Sequence, residues 1–208
     1  MSIILILGFF VYTQTLNNTE IDTTRNSHQH KKNVVNFLQP RGSIVDSAGN
    51  GYTLWTQMQE CISYNPTLDA IQIVNRAYEP SGCLNVHQAP GYLSYSVNEY
   101  AVYNREFGNA RYPTSVASGD GSGNGPHISF ATLDTITGNW GHAGAQYESG
   151  GWFSGSWAPP VDLSGDIGVR KNIGKQLLDG NILFIASTTT DEVIYWTCSP
   201  DISTTVSS

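Results

Sequence analysis

The chain is poor in charge. Only 13% of its 208 residues are Asp, Glu, Lys or Arg, about half the usual share. A helical bundle draws on Glu, Lys, Leu and Ala, so that class is not expected. Basic residues are scarcest, with 10 Lys and Arg against 17 Asp and Glu and a net charge of −7. An acidic chain repels phosphate backbones, so no nucleic-acid partner is expected. The one dense basic stretch, His28, His30, Lys31 and Lys32, reads as a solvated segment.

Cysteine is nearly absent. Cys61, Cys83 and Cys198 form no Cys-x-x-Cys pair, which leaves a zinc ribbon or thioredoxin-like site without support. They read either as three buried thiols or as a Cys61–Cys83 disulfide with Cys198 free. Long apolar runs are missing too. The longest, residues 3–12, is too short to span a bilayer, so no integral span is expected. It suits the apolar part of an export signal, although no Lys or Arg precedes it and no small-x-small cleavage site follows. A buried strand is the alternative. No Gly-rich loop opens a helix and no Gly-x-Ser-x-Gly elbow occurs, so neither phosphate-loop nor serine-elbow chemistry is expected.

What the chain does have is glycine, at 21 residues, and aromatics, with 11 Tyr, 7 Phe and 5 Trp. That mixture describes short strands and tight turns. Residues 1–13 read as the signal-like segment and 14–40 as a polar lead-in without sustained periodicity. From 41 to 200 strand-like runs alternate with turn clusters. The runs are 51–57, 70–76, 93–97, 127–131, 144–147, 181–187 and 192–197, with turn signals at 47–51, 79–82 and 118–126. Residues 201–208 read as a Ser/Thr-rich tail with no closing strand. The expected fold class is all-β.

An internal repeat narrows the choice. Ile62-Ser63-Tyr64-Asn65-Pro66-Thr67-Leu68-Asp69-Ala70-Ile71 is echoed by Ile128-Ser129-Phe130-Ala131-Thr132-Leu133-Asp134-Thr135-Ile136, and in part by residues 179–186. The first two copies read as strand, Asp-containing turn, strand, and the third as the turn and second strand only, a unit that must stack on neighbours to bury both faces. In these segments the chain resembles the sialidase-like (BNR-repeat) β-propellers, over residues 41–200. The resemblance implies antiparallel blades, about three or four here. Closed propellers have four to eight, so the missing blades of a longer chain are among the expected partners.

The resemblance also implies what a hydrolase would need: arginines for a substrate carboxylate, a tyrosine nucleophile with a Glu partner, and an acid Asp. Arg41, Arg76 and Arg111 are the arginine candidates, with Arg105 and Arg170 also within the expected folded region. The Arg-Ile-Pro signature is replaced by Pro40-Arg41-Gly42, and the Asp-box survives only as Ser118-Gly119-Asp120-Gly121-Ser122. Both departures weigh against hydrolysis. Tyr147 and Glu148 are adjacent, so on a strand they face opposite ways. Asp120, Ser122 and Asn124 have the alternating spacing of a calcium loop but no closing Glu, since Ala131 stands there. Calcium is therefore a weak cofactor candidate, set against a flexible Gly-rich loop, and no other cofactor is expected. His87, His127 and His142 lack metal-ligand spacing. The richest aromatic stretch holds Trp140, Tyr147, Trp152 and Trp157 among Gly and Ser. Such rings either stack on sugar faces or fill the space between sheets.

The function expected from these residues is a secreted or envelope-associated, noncatalytic binding domain for a glycan or protein ligand. A sialidase-like glycosidase and a structural part of a larger surface protein are the alternatives.

Overall fold

The structure, a computed structural model, describes residues 3–7, 43–48, 60–78, 80–90, 97–121, 123–134 and 136–207. Among them every regular element is a strand, and no helix is long and apolar enough to cross a membrane. Strand β1 (Ile3–Leu7) pairs antiparallel with β2 (Ser43–Ala48). The sequence candidates at 51–57 and 93–96, and Arg41, lie outside the described residues.

The rest forms three four-stranded antiparallel sheets, each a meander in chain order. The first holds β3 (Ile62–Asn65), β4 (Ala70–Arg76), β5 (Leu84–Pro90) and β6 (Asn98–Tyr103). The second holds β7 (Asn109–Val116), β8 (His127–Leu133), β9 (Trp140–Tyr147) and β10 (Val161–Asp162). The third holds β11 (Val169–Gln176), β12 (Ile182–Thr188), β13 (Val193–Cys198) and β14 (Thr205–Ser207).

Asp and Asn make the reversals. Asn65 Oδ1 accepts from the N–H of Thr67 and Leu68, and Asp134 Oδ1 from those of Ile136 and Thr137. Each caps a turn with its own side chain. Those N–H groups, Thr137 foremost, hold the Asp134 carboxyl below the usual carboxylate range.

Alternation along the strands gives the second sheet two apolar faces. One face, with Ala110, Ile128 and Phe130, packs on Val74, Leu84, Val86 and Val102 of the first sheet. The other, with Val116, Ala131, Ala143 and Ala145, packs on Ile182, Phe184, Ala186 and Trp196 of the third. Glycine makes room for the large rings. Gly144 stands opposite Phe130 and Gly174 opposite Phe184. A Cβ on Gly144 would lie 2.2 Å from the Phe130 ring.

The first strands of the three sheets come together. Ser63 and Ser115 share a 2.5 Å hydroxyl hydrogen bond, and Thr114 Oγ1 donates to Asn172 O at 3.1 Å. Lys175 pairs with Glu60. Strands β3, β7 and β11 thereby line one cavity of about 140 Å³, bordered by Ser63, Tyr64, Ser115, Lys175 and Gln176.

Residues 70–76 form β4 as expected, and the runs at 127, 144, 181 and 192 lie in β8, β9, β12 and β13. Three features differ from what the sequence pattern shows. Thr205–Ser207 is a strand paired with β13, so the Ser/Thr-rich tail does supply an edge, its β-branched Thr205 and Val206 suiting an extended chain. Strand β7 contains Pro113, which argues against a strand in sequence, yet the register breaks between Arg111 and Thr114 and a bulge tolerates proline. The two repeat copies also occupy different places: the first spans β3 and the start of β4, the second β8 and the turn after it, one strand later in its sheet.

All three cysteines are buried free thiols. Burial pushes Cys61 up to about 12.

Gly144→Ala is expected to cost roughly 1–3 kcal/mol, because the ring over it must move. Gly123→Ala, whose Cβ meets nothing within 4 Å, is expected to stay within about 0.5 kcal/mol. Urea midpoints would check both; equal losses would mean that the Phe130 ring does not depend on a glycine beneath it.

Candidate functional site

Neighbouring strands run in opposite directions, so the ends of β4 and β6 and the starts of β7, β9 and β11 share one end of the sheets. Arg76 closes β4, Arg111 and Tyr112 open β7, Trp140 opens β9, and Lys171 opens β11. These five side chains cluster. Tyr112 stacks on Trp140 with ring centroids 5.4 Å apart. Lys171 Nζ lies 5.7 Å from the Tyr112 centroid, within cation–π range.

Tyr112 reaches that position through strain. It sits in the β7 bulge at φ 50°, a region costly for a bulky residue. Bulges re-aim side chains and are enriched beside binding sites, and residues held in such conformations concentrate there too.

Arg76 is 4% exposed. Its buried Nε and Nη1 meet no acceptor from the protein. Burial lowers its pKa from the ordinary guanidinium value, and the like charges of Arg111 and Arg105 lower it further, against an opposing effect of Tyr112. A buried cation with cationic neighbours is an unbalanced arrangement. Arg111 is half-buried and Arg105 exposed. The Arg105 guanidinium donates to Ser81 O, and its backbone is also left-handed, at φ 68°.

A second pair at the same end was not legible in sequence. His142 Nδ1 lies 2.7 Å from Asp162 Oδ2, with the Phe107 ring 5.4 Å from the imidazole. Asp162 Oδ1 accepts from Ser164 N and Gly165 N, which fixes the carboxylate. His142 and Asp162 are far apart in the chain and meet only because β10 pairs with β9.

The remaining aromatic candidates lie at the opposite end. Tyr147 stacks on His127 at 5.7 Å. Trp152 is buried, its indole N–H donating to Ser118 O at 2.7 Å. Trp157 is half-buried against the core between the first and second sheets. Glu148, next to Tyr147, is fully buried. Its carboxylate accepts from Gln88 Nε2 at 2.6 Å, Ser154 Oγ at 3.0 Å and Gly155 N at 2.5 Å. The sequence candidates are thus divided: Arg76, Arg111 and Trp140 at one end, and Tyr147, Trp152 and Trp157 at the other.

The calcium-like loop brings little together. Asp120 is exposed and Asn124 half-buried, and Ser122 lies outside the described residues. Among the described residues no three His, Cys, Asp or Glu side chains group as metal ligands. The chain matches no known protein-family model and no curated protein.

His127 ties the far end together. Its Nε2 lies 2.6 Å from Pro200 O and its Nδ1 2.6 Å from Ser118 Oγ. A carbonyl only accepts, so Nε2 carries the proton and Nδ1 accepts from the serine hydroxyl. Burial pushes this imidazole down from 6.5 to about 4. The unfolded chain therefore takes up a proton below pH 6.5 that the folded chain refuses until about pH 4. Stability from this group is complete above pH 6.5 and is lost as pH falls through that window, on the order of 3 kcal/mol in all. Urea midpoints between pH 4 and 7 are expected to fall with acid in the wild type and to stay flatter in His127→Gln. Identical slopes would remove His127 as the cause.

Proposed function

We propose that this chain is a noncatalytic, propeller-type binding domain, exported from the cytoplasm, that grips an acidic glycan at the Arg76 end of its sheets. The observation that carries the reading is Arg76: a buried guanidinium with two nitrogens that meet no protein acceptor. An uncompensated buried cation costs several kcal/mol. A ligand carboxylate or sulfate would supply the acceptor, and guanidinium groups match such planar or multidentate anions well. The Tyr112–Trp140 pair offers ring faces for the sugar, and Lys171 adds a further positive charge beside them.

The propeller reading draws on three successive meanders whose first strands surround one cavity. The sialidase-like resemblance agrees with that arrangement but adds no residue to it. The export reading rests on the composition of residues 3–12. Hydrolysis is disfavoured by position. The Tyr147–Glu148 pair lies at the end away from the arginines, and three donors already occupy the Glu148 carboxylate. A fold of this kind serves many roles, so the site carries the argument.

The test is an array of carboxylated and sulfated oligosaccharides beside their neutral counterparts, followed by calorimetry on a binder. Binding is expected for the acidic members only. Arg76→Met should weaken it by about 2–5 kcal/mol, while leaving the unliganded protein as stable or more so, because a buried charge is replaced by an apolar chain. Trp140→Ala should weaken binding as well. Equal binding of neutral sugars, or unfolding of the Arg76→Met protein, would defeat the proposal.

A further inference from the structure

The surface around Arg76 continues past Trp140 onto the third sheet. Val169 opens β11, Thr188 closes β12 and Val193 opens β13 at that same end. The turns between them border a groove of about 800 Å³. Its lining includes Asp166, Ile167, Thr189, Thr190, Glu192 and Val193, all exposed.

Gly168 joins this groove to the candidate site. It lines the groove, and a Cβ there would stand 3.4 Å from Trp140 O and 3.0 Å from Thr189 Cγ2. A glycine thus lets the start of β9 and the turn after β12 approach each other. Thr189 N donates to Gly168 O at 2.9 Å, and the Arg170 guanidinium donates to Thr189 O and to Asp191 Oδ1. Along this end the order is Arg76, the Tyr112–Trp140 ring pair, Gly168 and then the groove.

The two parts differ in charge. Arg76, Arg111 and Lys171 make the first part cationic. In the groove Arg170 offsets Asp191, and the carboxylates of Asp166 and Glu192 remain. Thr190 Oγ1 donates to Glu192 Oε2 at 3.0 Å; a neutral donor orients that carboxylate and leaves its charge in place. Carboxylate oxygens only accept, so they suit the hydroxyls of a neutral sugar and repel a second anion. Like charges closer than a Debye length, about 8 Å at physiological salt, are not screened away. Ile167 and Val193 supply apolar surface beside them, the usual mixture in a ligand groove.

We infer that the ligand is an oligosaccharide with one acidic residue at its end and neutral residues behind it. The acid meets Arg76, and the neutral residues cross Trp140 into the groove. This rests on the acidic-glycan reading above and narrows it, because a chain acidic at every residue would set anions against Asp166 and Glu192.

Calorimetry on the full chain tests it with two head groups, glucuronate and glucose 6-sulfate. Each is offered as a methyl glycoside, as the end of a trisaccharide otherwise of glucose, and as every residue of a trisaccharide. The mixed trisaccharide is expected to bind about tenfold or more tighter than the methyl glycoside, and the all-acidic one to gain nothing over it. Asp166→Asn combined with Glu192→Gln should bring the two trisaccharides to within about threefold of each other, whereas a loss of structure would weaken both alike. A methyl glycoside that binds as tightly as the mixed trisaccharide overturns this inference and leaves the acidic-glycan reading standing. An all-acidic chain that binds as tightly as the mixed one does the same. Failure of every probe with both head groups overturns the two together.

Discussion

The buried carboxylate of Glu148 is the constraint on which the arrangement of the sheets depends. A carboxylate removed from water must be met by donors, or folding loses several kcal/mol. Here the donors come from the first sheet and from the loop after β9. Gln88 reaches across from β5, and Ser154 and Gly155 close in from the segment after β9. Gln88 then accepts from Phe153 N and donates to Gln72 Oε1, and Gln72 in turn donates to Ser115 Oγ and His127 O. A shift of the first sheet along the second would break several of these bonds together. Apolar packing tolerates small slips, whereas a chain of buried donors and acceptors does not. This seam gives the stack of sheets its register.

Arg76 belongs to the same sheet and is treated in the opposite way. Glu148 is buried with three donors; Arg76 is buried with two nitrogens that meet no acceptor. Both ends of the sheets therefore hold a buried charge, but only one is balanced within the fold. Tyr112 repeats the contrast. Its backbone is held at φ 50° in the β7 bulge, where its ring meets Trp140. Local rules broken without internal compensation concentrate at functional sites. A strained Tyr112 beside a buried guanidinium without a protein acceptor sets the arginine end apart from the more aromatic far end.

The sequence showed the class of fold well and the site only in pieces. Alternation and turn chemistry exposed β4, β8, β12 and β13, because each is bordered by Asp, Asn or Gly turns and carries branched or aromatic side chains. Strand β7 was hidden by Pro113 and by its bulge, since a bulge breaks the period-two pattern on which strand reading depends. The internal repeat holds as a strand followed by a side-chain-capped turn but is out of phase between sheets, because an Asn or Asp turn serves any hairpin. Arg76 and Arg111 were named, yet their meeting depends on the packing of β4 against β7, which no local pattern encodes. The tryptophan-rich segment divides between the two ends, with Trp140 beside Tyr112 and the rest away from the arginines. Trp152 became a core residue once Ser118 O was available to its indole N–H.

The two ends also divide the labour between fixed and adaptable structure. At the far end His127 spans Ser118 and Pro200, so a loop of the second sheet and a turn of the third are held by one ring. At the arginine end the side-chain ties include a ring stack, a cation over a ring, the His142–Asp162 pair and an exposed ion pair from Arg170 to Asp191, and the exposed ones are worth little in water. Such ties can adjust around a ligand without disturbing the core, because the buried seam at Glu148 and His127 helps to hold the register. A site built from strained and uncompensated groups needs such a partner in the fold: the rigidity must lie elsewhere, and in this chain it lies at the opposite end of the same strands.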